Sequence, residues 1–225
     1  MKLKYKAVIF DLDGTLVDTL GDIAVSMNRA LKLHGFPELP EQDFRDKVGW
    51  GIERLAFLSL PEEASLPEGT CKKETASRVA QDAAGFYAEN PLVYSRVYPG
   101  IQELLSTLLQ KKIKTAVLSN KPDPTAQKVV AGLFPPGSFV RVQGEVTGRA
   151  RKPDPSSVWE LLLDLDITPT NVIFTGDSEI DIETAVSSGC FALGVSWGYR
   201  SRETILKAGA RRIIEKPEEL LELFL

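Results

Sequence analysis

The feature that most constrains the fold is a regular alternation of strand-like and helix-like segments from Val97 onward. Apolar, strand-like runs lie at residues 113–118, 139–142, 171–175, 191–195 and 211–214, and segments with apolar residues at helical spacing lie between them. Parallel strands need long crossover connections, usually helices, whereas antiparallel strands can be joined by short hairpins. The pattern therefore predicts an α/β fold with a Rossmann-like parallel sheet and helices on both of its faces.

Residues 17–92 follow a different pattern, because apolar side chains recur there at helical spacing. A first helix, with Ile23, Met27 and Leu31 on its apolar face, is predicted to end near Gly35. Further helices are predicted at residues 41–48, 52–60 and 75–89. We therefore predict an all-helical cap domain, residues 17–92, inserted into an α/β core formed by residues 1–16 and 93–225.

Composition argues against several classes of protein. The net charge of −4 disfavours a general nucleic-acid binder, which needs a basic surface. No apolar run approaches membrane-spanning length, and the lysine-rich first residues lead into only four apolar residues, too few for a signal peptide. Two cysteines far apart in sequence, Cys71 and Cys190, favour reduced thiols and a cytoplasmic protein. Because His34 is the single histidine, a multi-histidine metal site is excluded.

A strand-like run at residues 7–10 stops abruptly at two carboxylates, Asp11 and Asp13. Side chains at i and i+2 of an extended segment project to the same side, so both carboxylates can serve one site. Gly14 and the hydroxyl of Thr15 follow at once, and a glycine lets the backbone turn sharply and approach a ligand closely. This pattern is typical of a buried strand that ends at an active site.

Polar clusters also follow two later strands, and a lysine lies in a fourth loop. These groups are Ser119, Asn120 and Lys121, then residues 177–181, and Lys152. In an open α/β sheet, loops at the carboxyl ends of the strands converge on one ligand site. Carboxylates gathered there suit Mg²⁺, which prefers oxygen ligands, and hydroxyl, amide and lysine groups can donate to phosphate oxygens. Together the clusters favour phosphoryl transfer.

The clusters resemble the four motifs of the haloacid dehalogenase-like (HAD) superfamily, in the same order. Residues 11–18, Asp-Leu-Asp-Gly-Thr-Leu-Val-Asp, resemble the first motif, and the others match Ser119-Asn120-Lys121, Lys152-Pro153 and Gly176-Asp177-Ser178-x-x-Asp181. The helical insert directly after the first motif resembles the type 1 cap arrangement. The resemblance implies a HAD-like catalytic core covered by a helical cap.

By this resemblance, Asp11 is the nucleophile that forms an aspartyl-phosphate. Asp13 is the acid that protonates the leaving alcohol and the base that then activates water. Mg²⁺ is expected to be held by Asp11, the backbone carbonyl of Asp13 and Asp177, with Asp181 acting directly or through water. Asp181 could instead be only a helix N-terminal residue favoured by the helix dipole. Ile180 stands where the family often has asparagine or another polar residue, so hydrogen bonding around the metal can differ.

The resemblance also assigns phosphate contacts. Ser119 and Lys152 are expected to bind the phosphoryl oxygens, with Lys152 offsetting the crowded negative charge. Thr15, Asn120 and Lys121 are placed beside the phosphate, the first two to orient the site. Simpler interpretations stay open, since Ser119 and Asn120 could form an ordinary turn and Lys152 could be a solvated surface lysine.

Within the superfamily, further segments resemble the phosphoglycolate phosphatase-like group: Asn120-Lys121-Pro122, Tyr98-Pro99-Gly100 and Trp197-Gly198-Tyr199-Arg200. In the helical insert, residues 48–55 resemble that group's glycine-containing substrate loop. There Gly49 would let the backbone approach a ligand, and Arg54 would meet a substrate carboxylate. The alternative is a glycine-rich bend with an exposed arginine.

The sequence thus predicts a Mg²⁺-dependent phosphatase acting on a small phosphorylated metabolite, with 2-phosphoglycolate as the first choice. A phosphomutase of the β-phosphoglucomutase type, a pyrophosphatase, and a non-catalytic protein that binds a phosphorylated ligand stay open as alternatives. We expect no nucleic-acid or membrane partner, and either a monomer or a homodimer.

Overall fold

The computed structural model describes residues 4–62 and 71–224. Its strands are β1 (Ala7–Phe10), β2 (Val17–Asp18), β3 (Arg96–Val97), β4 (Lys114–Pro122), β5 (Arg141–Glu145), β6 (Val172–Gly176), β7 (Phe191–Val195) and β8 (Arg212–Ile214). Six of them form one parallel sheet in the order β5-β4-β1-β6-β7-β8. The predicted α/β fold with a parallel sheet is confirmed.

The helices are α1 (Leu20–Leu33), α2 (Ile52–Ser59), α3 (Lys72–Glu89), α4 (Ile101–Gln110), α5 (Asp123–Leu133), α6 (Ser156–Leu165), α7 (Glu179–Ser188) and α8 (Arg202–Lys207). Shorter 3-10 segments occupy Glu41–Phe44, Pro169–Asn171 and Pro217–Phe224. The prediction of a helix over 41–48 was wrong, since only a 3-10 turn forms there. Phe44 is fully buried and Arg45 reaches the loop after β7, so tertiary contacts set this segment's path. Within the described ranges, no helix is long and apolar enough to cross a membrane.

Strand β1 is buried on both faces of the sheet. Val8 and Phe10 belong to the apolar cluster that includes Ile101 of α4, and Ile9 belongs to a second cluster that includes Leu161 of α6. Alternate residues of a strand face opposite sides, so the short run at 7–10 supports both layers. The sheet therefore carries helices on both faces, as predicted.

Helices α1, α2 and α3, with the 3-10 turn at Glu41–Phe44, form a unit called here the helical segment. Its apolar side chains form one cluster, in which Met27, Leu31 and Val79 are buried and which Tyr199 of the loop after β7 joins. The chain enters and leaves this unit through an antiparallel pair, β2 with β3. The buried carboxylate of Asp22 accepts hydrogen bonds from the backbone of residues 94 and 95, which ties the exit to the start of α1.

Candidate active site

Three strands end side by side at one edge of the sheet. Phe10 at the end of β1 pairs with Val117 of β4 and Thr175 of β6. The backbone N–H of Asp11 still donates to the carbonyl of Thr175 at 2.9 Å, which holds Asp11 at this edge. Residues 119–121 lie in an irregular part of β4, where its register with β5 shifts, so they leave the regular ladder.

The chain turns tightly after β1. The backbone N–H groups of Leu16 and Val17 donate to the carbonyl of Leu12 at 3.1 and 3.0 Å. Gly14 has a positive φ of 82°, and a side chain there would lie within 3 Å of the Asp177 carboxylate. Glycine at this position lets the turn press against the neighbouring carboxylate.

Lys152 bridges two carboxylates. Its Nζ lies 2.6 Å from Oδ1 of Asp11 and 2.7 Å from Oδ1 of Asp181. The lysine side chain is 3% exposed, so the interpretation as a solvated surface lysine is wrong. Burial alone lowers the pKa of Lys152, but the charges of Asp11 and Asp181 outweigh it and hold that pKa above its ordinary value. Lys152 is therefore an ammonium inside the site.

Asp181 serves two contacts at the start of α7. Its Oδ2 accepts hydrogen bonds from the backbone N–H of Ser178 at 3.1 Å and from the Ser178 hydroxyl at 2.6 Å, while Ser178 caps the helix in return. Its Oδ1 is the oxygen that faces Lys152. Asp181 is thus a helix-capping residue and a side chain of the site at once.

Asp177 is fixed by one hydrogen bond to each oxygen. The Thr15 hydroxyl donates to Oδ1 at 3.1 Å, and the backbone N–H of Tyr199 donates to Oδ2 at 2.7 Å. A side chain at Gly198 would overlap Asp177, so a glycine is required there. Burial, with a further contribution from the charge of Asp181, raises the pKa of Asp177 to about 7.

Carboxylate oxygens of Asp11, Asp177 and Asp181 all lie within 4.8 Å of one another, and all three residues are buried. Burial is the main cause that raises the pKa of Asp11, and the charge of Asp181 raises it further. Buried carboxylates that disfavour one another's ionisation are stabilised by a cation among them. Their hard oxygen atoms fit a hard divalent ion. These three residues could therefore hold a metal ion.

The side chain of Asp13 lies beside this cluster and has different partners. Its Oδ1 accepts hydrogen bonds from the Thr19 hydroxyl at 2.6 Å and from Nζ of Lys121 at 2.8 Å. Lys121 also donates to the hydroxyl of Tyr87, on α3, at 2.7 Å. Lys121, predicted to lie beside the phosphate, thus pairs with Asp13 in this structure, and a direct phosphate contact stays a prediction.

Asn120 joins three loops. Its Nδ2 donates to the carbonyls of Lys152 and Gly49, both at 3.0 Å, and its Oδ1 accepts from the backbone N–H of Lys152 at 3.0 Å. This geometry supports the predicted orienting role. Ser119 is buried beside it, and its Oγ accepts a hydrogen bond from the backbone of Lys121 at 3.2 Å. The Ser119 hydroxyl proton is not used in that bond, so it can be donated to a ligand.

A pocket opens above Asp11 and Asp13, beneath the helical segment. Its empty volume, including the part open to solvent, is about 620 Å³. The sheet side supplies Asp11, Asp13, Ser119, Asn120, Lys121, Pro122, Lys152, Ser178 and Asp181, and the helical segment supplies Ile23, Ser26, Met27, Val48, Gly49, Gly51, Ile52, Leu55, Ala83 and Tyr87. The wall contributed by the helical segment is therefore mainly apolar.

The two site residues predicted in the helical segment differ in placement. Gly49 lines the pocket with a positive φ of 120°. Arg54 lies outside the described lining, is exposed, and its guanidinium stacks 5.3 Å from the ring centroid of Phe57. Its contact with a substrate carboxylate stays a prediction that this arrangement does not support.

An exchange of arginine contacts joins the helical segment to the loop after β7. The Arg45 guanidinium donates to the carbonyls of Gly198 and Tyr199. In the other direction, the Arg200 guanidinium donates to the carbonyls of Arg45 and Val48, and both of these Arg200 contacts are 2.7 Å long. These contacts hold the segment over the pocket. The sequence alone does not predict roles for Arg45 or Tyr87, because an exposed arginine and a tyrosine on an apolar helix face resemble ordinary surface and core residues.

Comparison with known proteins matches residues 8–195 to the haloacid dehalogenase-like hydrolase family. A phosphoglycolate phosphatase of Mannheimia succiniciproducens is 32% identical over 99% of this chain and 100% of its own, and one of Haemophilus influenzae is 33% identical over the same shares. A solved structure from Lactobacillus delbrueckii subsp. bulgaricus is 34% identical, with a TM-score of 0.89 and 99% of both chains covered. A predicted phosphoglycolate phosphatase from Haemophilus somnus is 28% identical, with a TM-score of 0.90 and both chains fully covered.

The chain belongs to the haloacid dehalogenase-like hydrolase family. The family predicted from the four motifs is thus confirmed. The predicted enzyme class, a phosphoric monoester hydrolase, is confirmed as well.

Proposed function

We propose that this protein is a Mg²⁺-dependent phosphatase that transfers the phosphoryl group of a small phosphomonoester to Asp11 and then to water. The observation that carries the proposal is the placement of the Lys152 ammonium between Asp11 and Asp181 at the floor of a covered pocket. A phosphomonoester is dianionic near neutral pH, so it can approach a carboxylate nucleophile only where positive charge surrounds both groups.

The reaction has two displacement steps at phosphorus. A carboxylate oxygen of Asp11 bonds to phosphorus as the ester P–O bond breaks, and Asp13 gives its proton to the departing alkoxide. Water then bonds to phosphorus, the acyl-phosphate P–O bond breaks, and Asp13 takes a proton from that water. Inorganic phosphate and the unmodified carboxylate of Asp11 result.

Asp11, Asp177 and Asp181, with the backbone carbonyl of Asp13, would hold Mg²⁺, which supplies positive charge to the phosphoryl oxygens when bound. Lys152 neutralises negative charge on Asp11 and Asp181, since its ammonium donates to Oδ1 of both. The free hydroxyl proton of Ser119 can be donated to a phosphoryl oxygen. Thr15 and Asn120 orient these groups through Asp177 and Lys152.

The helical segment acts as a cap in this proposal, with residues 17–92 as the cap domain and residues 1–16 and 93–225 as the core. Its apolar cluster and its paired entry and exit strands support the division. A cap that covers the pocket excludes bulk water from the acyl-phosphate and strengthens electrostatic contacts with the phosphoryl group.

The choice of 2-phosphoglycolate is supported by the names of the relatives. The apolar wall of the pocket favours a second candidate, a phosphomonoester whose organic part is uncharged. Among the described lining residues, Lys121 and Lys152 carry the positive charges, and both are paired with aspartates. A substrate carboxylate would thus have no free cationic side chain of the described wall to meet.

A panel of phosphorylated compounds tests both candidates. We expect Mg²⁺-dependent release of phosphate, with 2-phosphoglycolate, p-nitrophenyl phosphate, glycerol phosphate, sugar phosphates and pyrophosphate compared at equal concentration. Phosphate release that prefers neutral organic groups would favour the second candidate. Conversion of β-glucose 1-phosphate to the 6-phosphate without phosphate release would indicate a phosphomutase. No phosphate release from any of the compounds would contradict the proposal.

We further propose that the protein works in the cytoplasm, as a monomer or a homodimer. Its two cysteines are both free, with Cys71 exposed and Cys190 buried, which supports a reducing compartment. The net charge of −4 supports the absence of a nucleic-acid partner.

A further inference from the structure

Lys121 occupies a position between the core and the helical segment. Its Nζ lies 2.8 Å from Oδ1 of Asp13 and 2.7 Å from the hydroxyl of Tyr87, and its side chain is 1% exposed. A buried ammonium is costly unless it is paired and hydrogen-bonded. Its location is therefore set jointly by Asp13, which follows β1, and by Tyr87 of α3.

Tyr87 is built into the helical segment rather than into the core. It is 4% exposed and belongs to the apolar cluster of α1, α2 and α3. The Lys121 ammonium lies over its ring, 4.3 Å from the centroid, in addition to the hydrogen bond. Any movement of the helical segment away from the core would therefore remove both contacts from Lys121.

The two oxygens of Asp13 are in different situations. Oδ1 accepts from Thr19 at 2.6 Å and from Lys121, whereas Oδ2 accepts no hydrogen bond from the described residues. Asp13 lines the pocket. Donors that fix Oδ1 leave Oδ2 as the oxygen able to carry the proton that the leaving alkoxide takes.

We propose that Lys121 and Tyr87 are positioning residues for Asp13, with Lys121 holding Oδ1 and Tyr87 holding Lys121 while the helical segment covers the site. The inference rests on the proposed phosphatase function, in which Asp13 protonates the leaving group. Asp13 is then held in this orientation only while the helical segment covers the site.

Esters with different leaving groups can show whether Lys121 and Tyr87 position the acid Asp13 or have only a general structural role. Departure of an alkoxide requires protonation, whereas p-nitrophenolate is a weak base and departs without it. The value of kcat/KM reports the steps up to leaving-group departure, so dephosphorylation of Asp11 does not enter it. We therefore compare kcat/KM for 2-phosphoglycolate and p-nitrophenyl phosphate in the full-length protein with Mg²⁺.

Y87F removes one hydrogen bond from Lys121 and keeps the ring, and K121M removes the ammonium. We expect kcat/KM for the alkyl ester to fall about threefold to tenfold in Y87F and about 10²-fold in K121M, since general acid catalysis contributes about 10²- to 10⁴-fold. For the aryl ester we expect less than about a threefold change. K121R should recover part of the alkyl activity, because it keeps the charge but changes the geometry.

Tyr94 and Lys73 are exposed, so Y94F and K73M provide matched controls. Neither variant should change kcat/KM for either ester. K121M leaves Asp13 without its buried partner, so the folding of this variant is checked by circular dichroism. If K121M does not fold, the comparison of the two esters in Y87F tests the positioning role. Equal losses for the two esters in Y87F and K121R would overturn the positioning role and leave the phosphatase intact. If the wild-type protein hydrolyses another alkyl phosphate of the panel instead of 2-phosphoglycolate, that ester takes its place in the comparison. A wild-type protein that releases phosphate from no compound of the panel would overturn both.

Discussion

The ammonium of Lys152 lies 2.6 Å from Oδ1 of Asp11, in a buried ion pair between the loop before α6 and the end of β1. The same ammonium lies 2.7 Å from Asp181, so one positive charge faces two carboxylates. With Asp177 the cluster holds three carboxylates and one ammonium. This excess of negative charge favours a cation, and it would repel a phosphate dianion without one.

Asp11 is the first residue to test. The amide of D11N cannot form an aspartyl-phosphate, so turnover should fall by at least about 10³-fold. In D11N the ammonium of Lys152 keeps Asp181 as its partner, and the crowded buried carboxylates that raise the pKa of Asp11 lose a charged neighbour, so the melting temperature should change little. Phosphate release and thermal unfolding are the measurements. A folded D11N protein with most of its turnover would contradict the nucleophile assignment.

Removal of the lysine should affect stability as well as activity. K152M leaves Asp11 and Asp181 buried without their partner, which should cost about 3–5 kcal/mol in the free energy of unfolding measured in urea with EDTA. Mg²⁺ should restore part of this loss but not the activity. K207M is the matched control, since its exposed pair with Glu203 contributes less than about 1 kcal/mol. Equal stability of K152M and wild type would contradict this account of Lys152.

Without metal, stability should depend on pH through Asp177. Burial raises the pKa of Asp177 to about 7 in the folded protein, above the ordinary value of 3.8. The folded state therefore binds this proton more tightly than the unfolded state, and stability should fall as pH rises from about 4 to about 7. Differential scanning calorimetry in EDTA should show a lower melting temperature at pH 8 than at pH 6.

Mg²⁺ should reduce that pH dependence, since a bound cation replaces the proton as the stabilising charge. D177N is the matched variant, and it should lose both the pH dependence assigned to Asp177 and most of the stabilisation by Mg²⁺. If the melting temperature at pH 8 is the same with and without Mg²⁺, these carboxylates do not hold the ion.

The arginine contacts between the helical segment and the loop after β7 predict a change in dynamics. R200M removes the donors to the carbonyls of Arg45 and Val48, so amide hydrogen exchange over residues 44–51 should become faster. R202M, at an exposed position of α8, is the control. Unchanged exchange in R200M would mean that these contacts do not hold the segment in place.

Much of the core could be predicted from the sequence, because its signals are local. Asp11, Ser119 and Asp177 follow apolar runs, and parallel strands bring such residues to one edge of a sheet. Lys152 could be placed in a loop from its motif, but its pairing with Asp181 depends on how α7 begins.

Contacts made by the helical segment could not be predicted in the same way. Tyr87 lies on an apolar face of α3, so its hydrogen bond with Lys121 becomes visible only when the two parts of the chain are packed together. Arg54 has a charge that suits a carboxylate, yet the orientation of α2 places it against Phe57 outside the pocket. Such orientations depend on tertiary packing rather than on local sequence.

The most direct test of the central claim is to trap the covalent intermediate. Wild-type protein mixed with Mg²⁺ and p-nitrophenyl phosphate is quenched in acid within milliseconds, and its peptides are examined by mass spectrometry. We predict one added phosphoryl group on the peptide that contains Asp11, and none in D11N. Steady turnover with no phosphorylated peptide, or with the phosphoryl group on a different residue such as Ser119, would contradict phosphoryl transfer through Asp11.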